Sequence, residues 1–254
     1  EGLGREDALA YYRRFYTPEN AILLVAGDVS EADVRPLAEA TYGRIPRRND
    51  APVRQRPQEP PPHAERMVTL RDDRVEQPTA YRMYLAPSHT TASGNDAHAL
   101  EVLSQLLGGS SSSLMYRELV VEQEAAVNVS SWYRNDAVDQ GYFGLYAVPR
   151  EGVSLSDLDG RMDALIDRVI AEGVEDHDLA RARTRLVADL IYAQDSQAHL
   201  ARIYGATLAT GGAISDVRDW PARIEAITND DIMRVAKTYL VRRTAVRGHL
   251  KQAA

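Results

Sequence analysis

Six histidines, at positions 63, 89, 98, 177, 199 and 249, are the first residues to test for chemistry. A catalytic zinc takes at least three protein ligands. No histidine here has another at three, four or five residues' distance. The nearest approach is His98-Ala99-Leu100-Glu101-Val102, which puts a His and a Glu on one helical face but leaves valine where a second ligand would stand. That stretch reads as a surface helix, and no metal site is expected in the chain. Serine chemistry fares no better. Gly108-Gly109 followed by Ser110–Ser113 lacks the lysine of a phosphate-binding loop and does not follow an apolar strand. It reads as a turn that caps a helix. No Gly-x-Ser-x-Gly elbow occurs, and Asp195, Ser196 and His199 fall in a helical pattern. With no cysteine in the chain, disulfides, thiolate catalysis and cysteine-ligated metals are excluded.

The bulk properties narrow the field further. The chain has 254 residues and a formal net charge of -7, so no global basic field attracts nucleic acid. Its apolar runs are too short to span a bilayer. Residue 1 is Glu rather than Met, which is expected of a piece of a longer protein.

The elements that must position any site follow from periodicity. Residues 5–16 place Leu9, Tyr12 and Tyr16 on one helical face, and Thr17-Pro18 ends that helix. Ala21–Ala26 reads as a buried strand. Ser30 with Asp33 three positions on reads as the capped start of a helix running to Tyr42, stopped by Gly43. Residues 44–66 hold six of the chain's 12 prolines and read as an extended linker. Beyond it, residues 66–73 and 77–87 alternate like half-buried strands, and Asp96–Leu107 is helical. The serine run opens a helix carrying Leu114, Arg117 and Val121. Strands are expected over 125–136 and 140–150, long helical patterns over Leu155–Glu172 and His177–Leu208, shorter ones over Trp220–Ile227 and Asp230–Leu240, and a closing strand over 244–250. Runs of strands followed by runs of helices argue for an α+β domain.

A short internal repeat explains why an apolar strand stands so near the start. A constant offset of 224 sets Asp7 against Asp231, Phe15 against Tyr239 and Ala21 against Ala245. Each copy reads as helix, four-residue break and strand. Residues 1–43 are therefore expected to be the tail of a preceding domain, 44–66 the linker, and 67–254 the domain proper.

Four stretches, Phe15–Gly43, Leu107–Tyr133, Asp178–Gln197 and Thr228–Leu240, together resemble the pitrilysin, insulysin and mitochondrial-processing-peptidase family of zinc metallopeptidases. The resemblance implies duplicated α+β domains, each an antiparallel-rich sheet packed against several helices, here preceded by a helix–strand–helix remnant. The family's zinc motif, His-x-x-Glu-His with a further Glu downstream, is absent from this chain, so any zinc is expected in an amino-terminal domain of the parent. A second family feature is an Arg and a Tyr that polarise the scissile carbonyl. Those positions fall on Val120 and Val127, which cannot donate hydrogen bonds to an oxyanion. Arg117, one helical turn from Val120, is the one candidate substitute.

The resemblance thus implies the non-catalytic half of a peptide-enclosing chamber, with Arg117, Val120 and Val127 as substrate-cleft candidates and no catalytic residue of its own. It further implies a peptide substrate and a homologous partner chain bearing the Arg–Tyr pair. A non-enzymatic scaffold of the same fold is the alternative. A bacterial source, with periplasm and cytoplasm both open, is expected.

Overall fold

The structure, a computed structural model, describes residues 2–47, 57, 60 and 62–253. Most of the proline-rich stretch therefore lies outside the described residues. Five strands form one sheet: β1 (Arg66–Arg71), β2 (Thr79–Ala86), β3 (Ala126–Arg134), β4 (Gly141–Pro149) and β5 (Val246–Lys251). Their order is β1-β5-β2-β4-β3. β1 runs parallel to β5, and the remaining pairs are antiparallel.

The alternation read from the sequence decides which face is covered. In β2, Ala80, Arg82, Tyr84 and Ala86 are buried while Tyr81 and Leu85 are exposed. In β4, Phe143, Leu145 and Ala147 lie on the covered side. Against that side pack α3 (Asp96–Gly108), α4 (Leu155–Glu172) and α8 (Asn229–Tyr239), which bring Leu100, Leu103, Met162, Ile166, Ile232 and Val235 into the core. A second layer lies over α3, made of α5 (Asp176–Ala193), α6 (Gln197–Ala209) and α7 (Ile214–Glu225). The α4–α5 corner turns at Gly173, whose φ of 75° suits glycine. The Asn229 side chain pins it by accepting from Val174 N at 3.0 Å and donating to Val174 O at 2.9 Å.

Charge is buried where α4 meets the sheet. Asp159 is 1 % exposed and takes Arg82 from β2 at 3.2 Å, and Arg247 and His249 from β5 at 3.4 and 2.8 Å. Arg82 also pairs with Asp163 and is itself fully buried.

The amino-terminal segment departs from expectation. Its helices α1 (Arg5–Phe15) and α2 (Glu31–Ala40) form, the second capped by Ser30 and Asp33 as read. Ala21–Ala26, however, is extended without ladder partners, not a strand in a sheet. Ile22, Leu23 and Val25 are each about half exposed because no strand among the described residues lies beside them. The repeat nevertheless holds in three dimensions. The offset of 224 carries Arg5–Phe15 onto Asn229–Tyr239 and the single turn Pro18–Asn20 onto Arg242–Thr244. In the second copy the helix is buried and the following strand sits inside the sheet. In the first copy no helical residue is buried.

Two further readings are corrected. The long pattern 177–208 is two helices, broken at Gln194–Ser196, because Ser196 caps a new start by accepting from His199 N at 3.3 Å. The helix expected after the serine run, carrying Leu114, Arg117 and Val121, starts at Leu114 but widens to a π-helix over Tyr116–Glu122. Leu114, Met115, Glu118 and Leu119 are buried, and Val121 is 60 % exposed.

Asp159→Ala should cost about 3–5 kcal/mol in denaturant unfolding, since it leaves buried cations with one counter-ion fewer. Asp163→Ala, at a more exposed pair, should cost clearly less. Equal losses would mean that Asp159 is not the centre of the cluster.

Candidate functional site

The sequence-derived candidates lie between α3 and β4. Ser110 and Ser112 hydroxyls stand 3.1 Å apart in the turn after Gly108-Gly109, and helix resumes at Leu114. Over Tyr116–Glu122 it widens to a π-helix: Gln123 N donates to Glu118 O and Ala125 N to Leu119 O, both at 2.8 Å. Glu124 follows with a φ of 47°, a left-handed conformation that costs a non-glycine residue roughly 1–2 kcal/mol. β3 then begins with a bulge. Ala126 pairs with Pro149 and Asn128 with Val148, so Val127 is the extra residue.

The three candidates face different surroundings. Arg117 donates to Asp178 of α5, Nη2 to Oδ2 at 3.0 Å. Asp178 is 2 % exposed and also pairs with Arg181 and His177. Burial raises the Asp178 carboxyl, but Arg117 outweighs this and holds it below the usual carboxylate range. The Arg117 guanidinium is therefore committed to anchoring the π-helix on α5. Val120 is half-buried against the core, and Val127 is 45 % exposed on the edge strand.

A second feature was missed by reading the sequence. His98 and Glu101 do not lie on a surface helix, because the α5–α7 layer covers α3. His98 is 5 % exposed and the Glu101 side chain 11 %. Both line a cavity of about 560 Å³ between α3, α6, α7 and the β3–β4 turn. Glu101 accepts from Trp220 Nε1 at 2.7 Å and from the Asn135 amide, and its Oε1 lies 2.9 Å from His89 Nε2. His89 is placed by its own N–H, which donates to Asn135 O at 3.0 Å. Burial opposes charge on the His89 ring, yet the bond to Glu101 prevails and holds its pKa above the ordinary value. At His98 burial wins and pushes the ring down to about 4. The sequence holds no signal of this burial: at helical spacing His98, Glu101, Ser104 and Gln105 share one face, opposite Leu100, Val102, Leu103, Leu106 and Leu107.

These groups do not fit a zinc site. Among the described residues no three His, Cys, Asp or Glu side chains converge as metal ligands would. Glu101 is moreover already bonded to Trp220, Asn135 and His89.

Over residues 2–186 the sequence matches the model of the peptidase M16 inactive domain. The chain belongs to that family. It is 28% identical over 241 residues to an uncharacterized zinc protease of Streptomyces coelicolor, covering 93% of this chain and 51% of that protein. With the zinc protease PqqE of Helicobacter pylori it shares 24% over 235 residues, 92% of this chain and 52% of the other. The fold matches a protease from Helicobacter pylori with TM-score 0.89 at 22% identity, over 98% of this chain and 60% of that one. It also matches an M16 inactive domain from Pseudomonas fluorescens with TM-score 0.80 at 16% identity, over 100% and 59%. The chain spans about half the length of the curated relatives it matches. An M16 inactive domain is the non-catalytic half in this family, which accords with the expected α+β fold and recognition.

Glu124→Gly should raise stability by about 1 kcal/mol, read as a higher denaturation midpoint with unchanged slope. The surface pair with Arg150, 3.3 Å apart, offsets little of this. No gain would mean that the turn relaxes elsewhere.

The depressed His98 also sets a pH dependence. An unfolded His98 takes a proton near pH 6.5. Between about 6.5 and 4 the unfolded state therefore holds the extra proton, and stability falls as pH falls. His89, raised, contributes in the opposite sense and loses its contribution as pH rises. The melting temperature should drop from pH 6.5 to 4, and His98→Leu should lose fewer degrees over that interval.

Proposed function

We propose that this M16 inactive domain forms one wall of a peptide-enclosing chamber in a longer zinc metallopeptidase. Its substrate would be an unfolded peptide, and the zinc would be held by a preceding domain. The unhoused repeat unit supports the division at 43 and 66. The helix Arg5–Phe15 and the run Ala21–Ala26 would be the closing helix and strand of that preceding domain, as α8 and β5 close this one. Their exposed Tyr12, Tyr16, Ile22 and Leu23 would be covered there. That the relatives are about twice as long agrees with this.

One observation carries the cleft assignment. Three backbone irregularities fall within twelve residues: the π-helix at Tyr116–Glu122, the left-handed Glu124 and the bulge at Val127. Such departures from regular structure concentrate at functional sites. Val120 and Val127 occupy this irregular stretch without any group that could donate to an oxyanion. The stretch would supply shape and an apolar lining. The transition-state donors would come from a homologous, zinc-free chain bearing the Arg–Tyr pair, in a heterodimer.

The full-length parent decides the matter. It should bind zinc and cleave unfolded peptides at least about a hundredfold faster after mixing with its Arg–Tyr paralogue than alone. The 254-residue chain by itself should do neither. Full activity of the isolated parent would overturn the partner requirement. A parent without His-x-x-Glu-His and without zinc would establish the scaffold reading instead.

A further inference from the structure

The cavity beside His98 is separate from the irregular stretch that carries the cleft assignment. Its volume, about 560 Å³, lies within the range of small-molecule sites. The walls are chiefly apolar, from Ala97 of α3, Leu190 of α5, Ile203 and Ala206 of α6, and Val217 and Trp220 of α7. Besides His98, five charged or chargeable groups stand among these walls, and each already has a partner. Glu101 is taken by His89, Asn135 and Trp220. Asp216 pairs with Arg223 at 3.3 Å and accepts from Ala213 N at 2.8 Å. Asp136 pairs with Arg134 at 3.5 Å.

His98 differs from all of them. It is 5 % exposed, lines the cavity, and makes an edge contact with the His89 ring, 4.9 Å between centroids, but no hydrogen bond. Its ring nitrogens are left to the cavity, where a hydroxyl of an occupant could bond one of them. A charged occupant would find no free counter-ion, and separating Asp216 from Arg223 to provide one is unfavourable. An uncharged occupant loses nothing there. Trp220 adds an aromatic surface, which favours a flat ring.

We propose that this cavity is a binding site for an uncharged, mainly apolar aromatic molecule bearing one hydroxyl, which exchanges a hydrogen bond with the His98 ring. Burial keeps that ring neutral at pH 7, so it offers one donor and one acceptor. The site stands apart from any proteolytic role and does not depend on the heterodimer.

Three probes of one shape test it: 2-naphthol, naphthalene and 2-naphthoate, titrated into the 254-residue chain labelled with 15N-histidine. Naphthol should bind saturably and shift the His98 ring resonances, about tenfold tighter than naphthalene and tighter still than naphthoate. His98→Leu should retain binding but bring naphthol and naphthalene within about twofold. Ala206→Phe fills the cavity from α6 and should abolish saturable binding, with the fold verified by circular dichroism. It serves as the decisive variant where His98→Leu does not fold. Naphthoate binding as well as naphthol, an undiminished naphthol preference in His98→Leu, binding that survives Ala206→Phe, or no saturable naphthol binding would each overturn the proposal.

Discussion

One carboxylate fixes how the helices sit on the sheet. Asp159 points from α4 into a region where it is 1 % exposed and meets groups from two neighbouring strands, the guanidinium cations of Arg82 on β2 and Arg247 on β5 and the ring of His249 on β5. Charges so far from water are tolerable only when paired. Sliding α4 or shifting either strand by one residue would leave charge without a counter-ion, because a single-residue slip turns Arg82 and Arg247 to the opposite face. The cluster therefore specifies register as well as position. Apolar packing around it, from Met162, Ile166, Tyr84 and Leu145, supplies the main stabilisation but would tolerate more than one alignment.

From that alignment the remainder follows in layers. α4 and α8 occupy the sheet beside β2, which leaves α3 to cover β3 and β4. α3 then lies between the sheet and α5–α7, buried on every side, and a histidine and a glutamate on it end up in the interior rather than in solvent. The same arrangement brings α5 against the π-helix, where Asp178 receives Arg117. An arginine one turn from a suspected cleft position thus serves as an anchor for an irregular backbone.

Local pattern carried most of the fold. Alternation in β2, the cap at Ser30, and the offset of 224 between the two helix–turn–strand units were legible because each depends on neighbours in sequence. What depended on distant partners was not. Ala21–Ala26 has the composition of a strand, but a strand exists only beside another, and none among the described residues lies there. The serine run signals a helix start correctly, yet nothing in composition separates a π-helix from an α-helix. His98 and Glu101 were read from their spacing as exposed, whereas the second helical layer decides their burial. The resemblance directed attention to the stretch 117–127, while the surroundings of Arg117, Val120 and Val127 depend on α5, the core and the sheet edge, which are distant in sequence.

The position of β5 has a consequence for how the molecule is made. It follows every other described element in the chain, yet it lies between β1 and β2, and Arg66 finds its partner Val246 only 180 residues later. A nascent chain leaving the ribosome can assemble the β2–β4–β3 part of the sheet early. β1, with Met67, Val68 and Leu70 facing out, has no neighbour until translation of the domain is nearly finished. Throughout that interval two strand edges stand open to other nascent chains. Chaperone protection of those edges is what this topology demands of the cell that synthesises it.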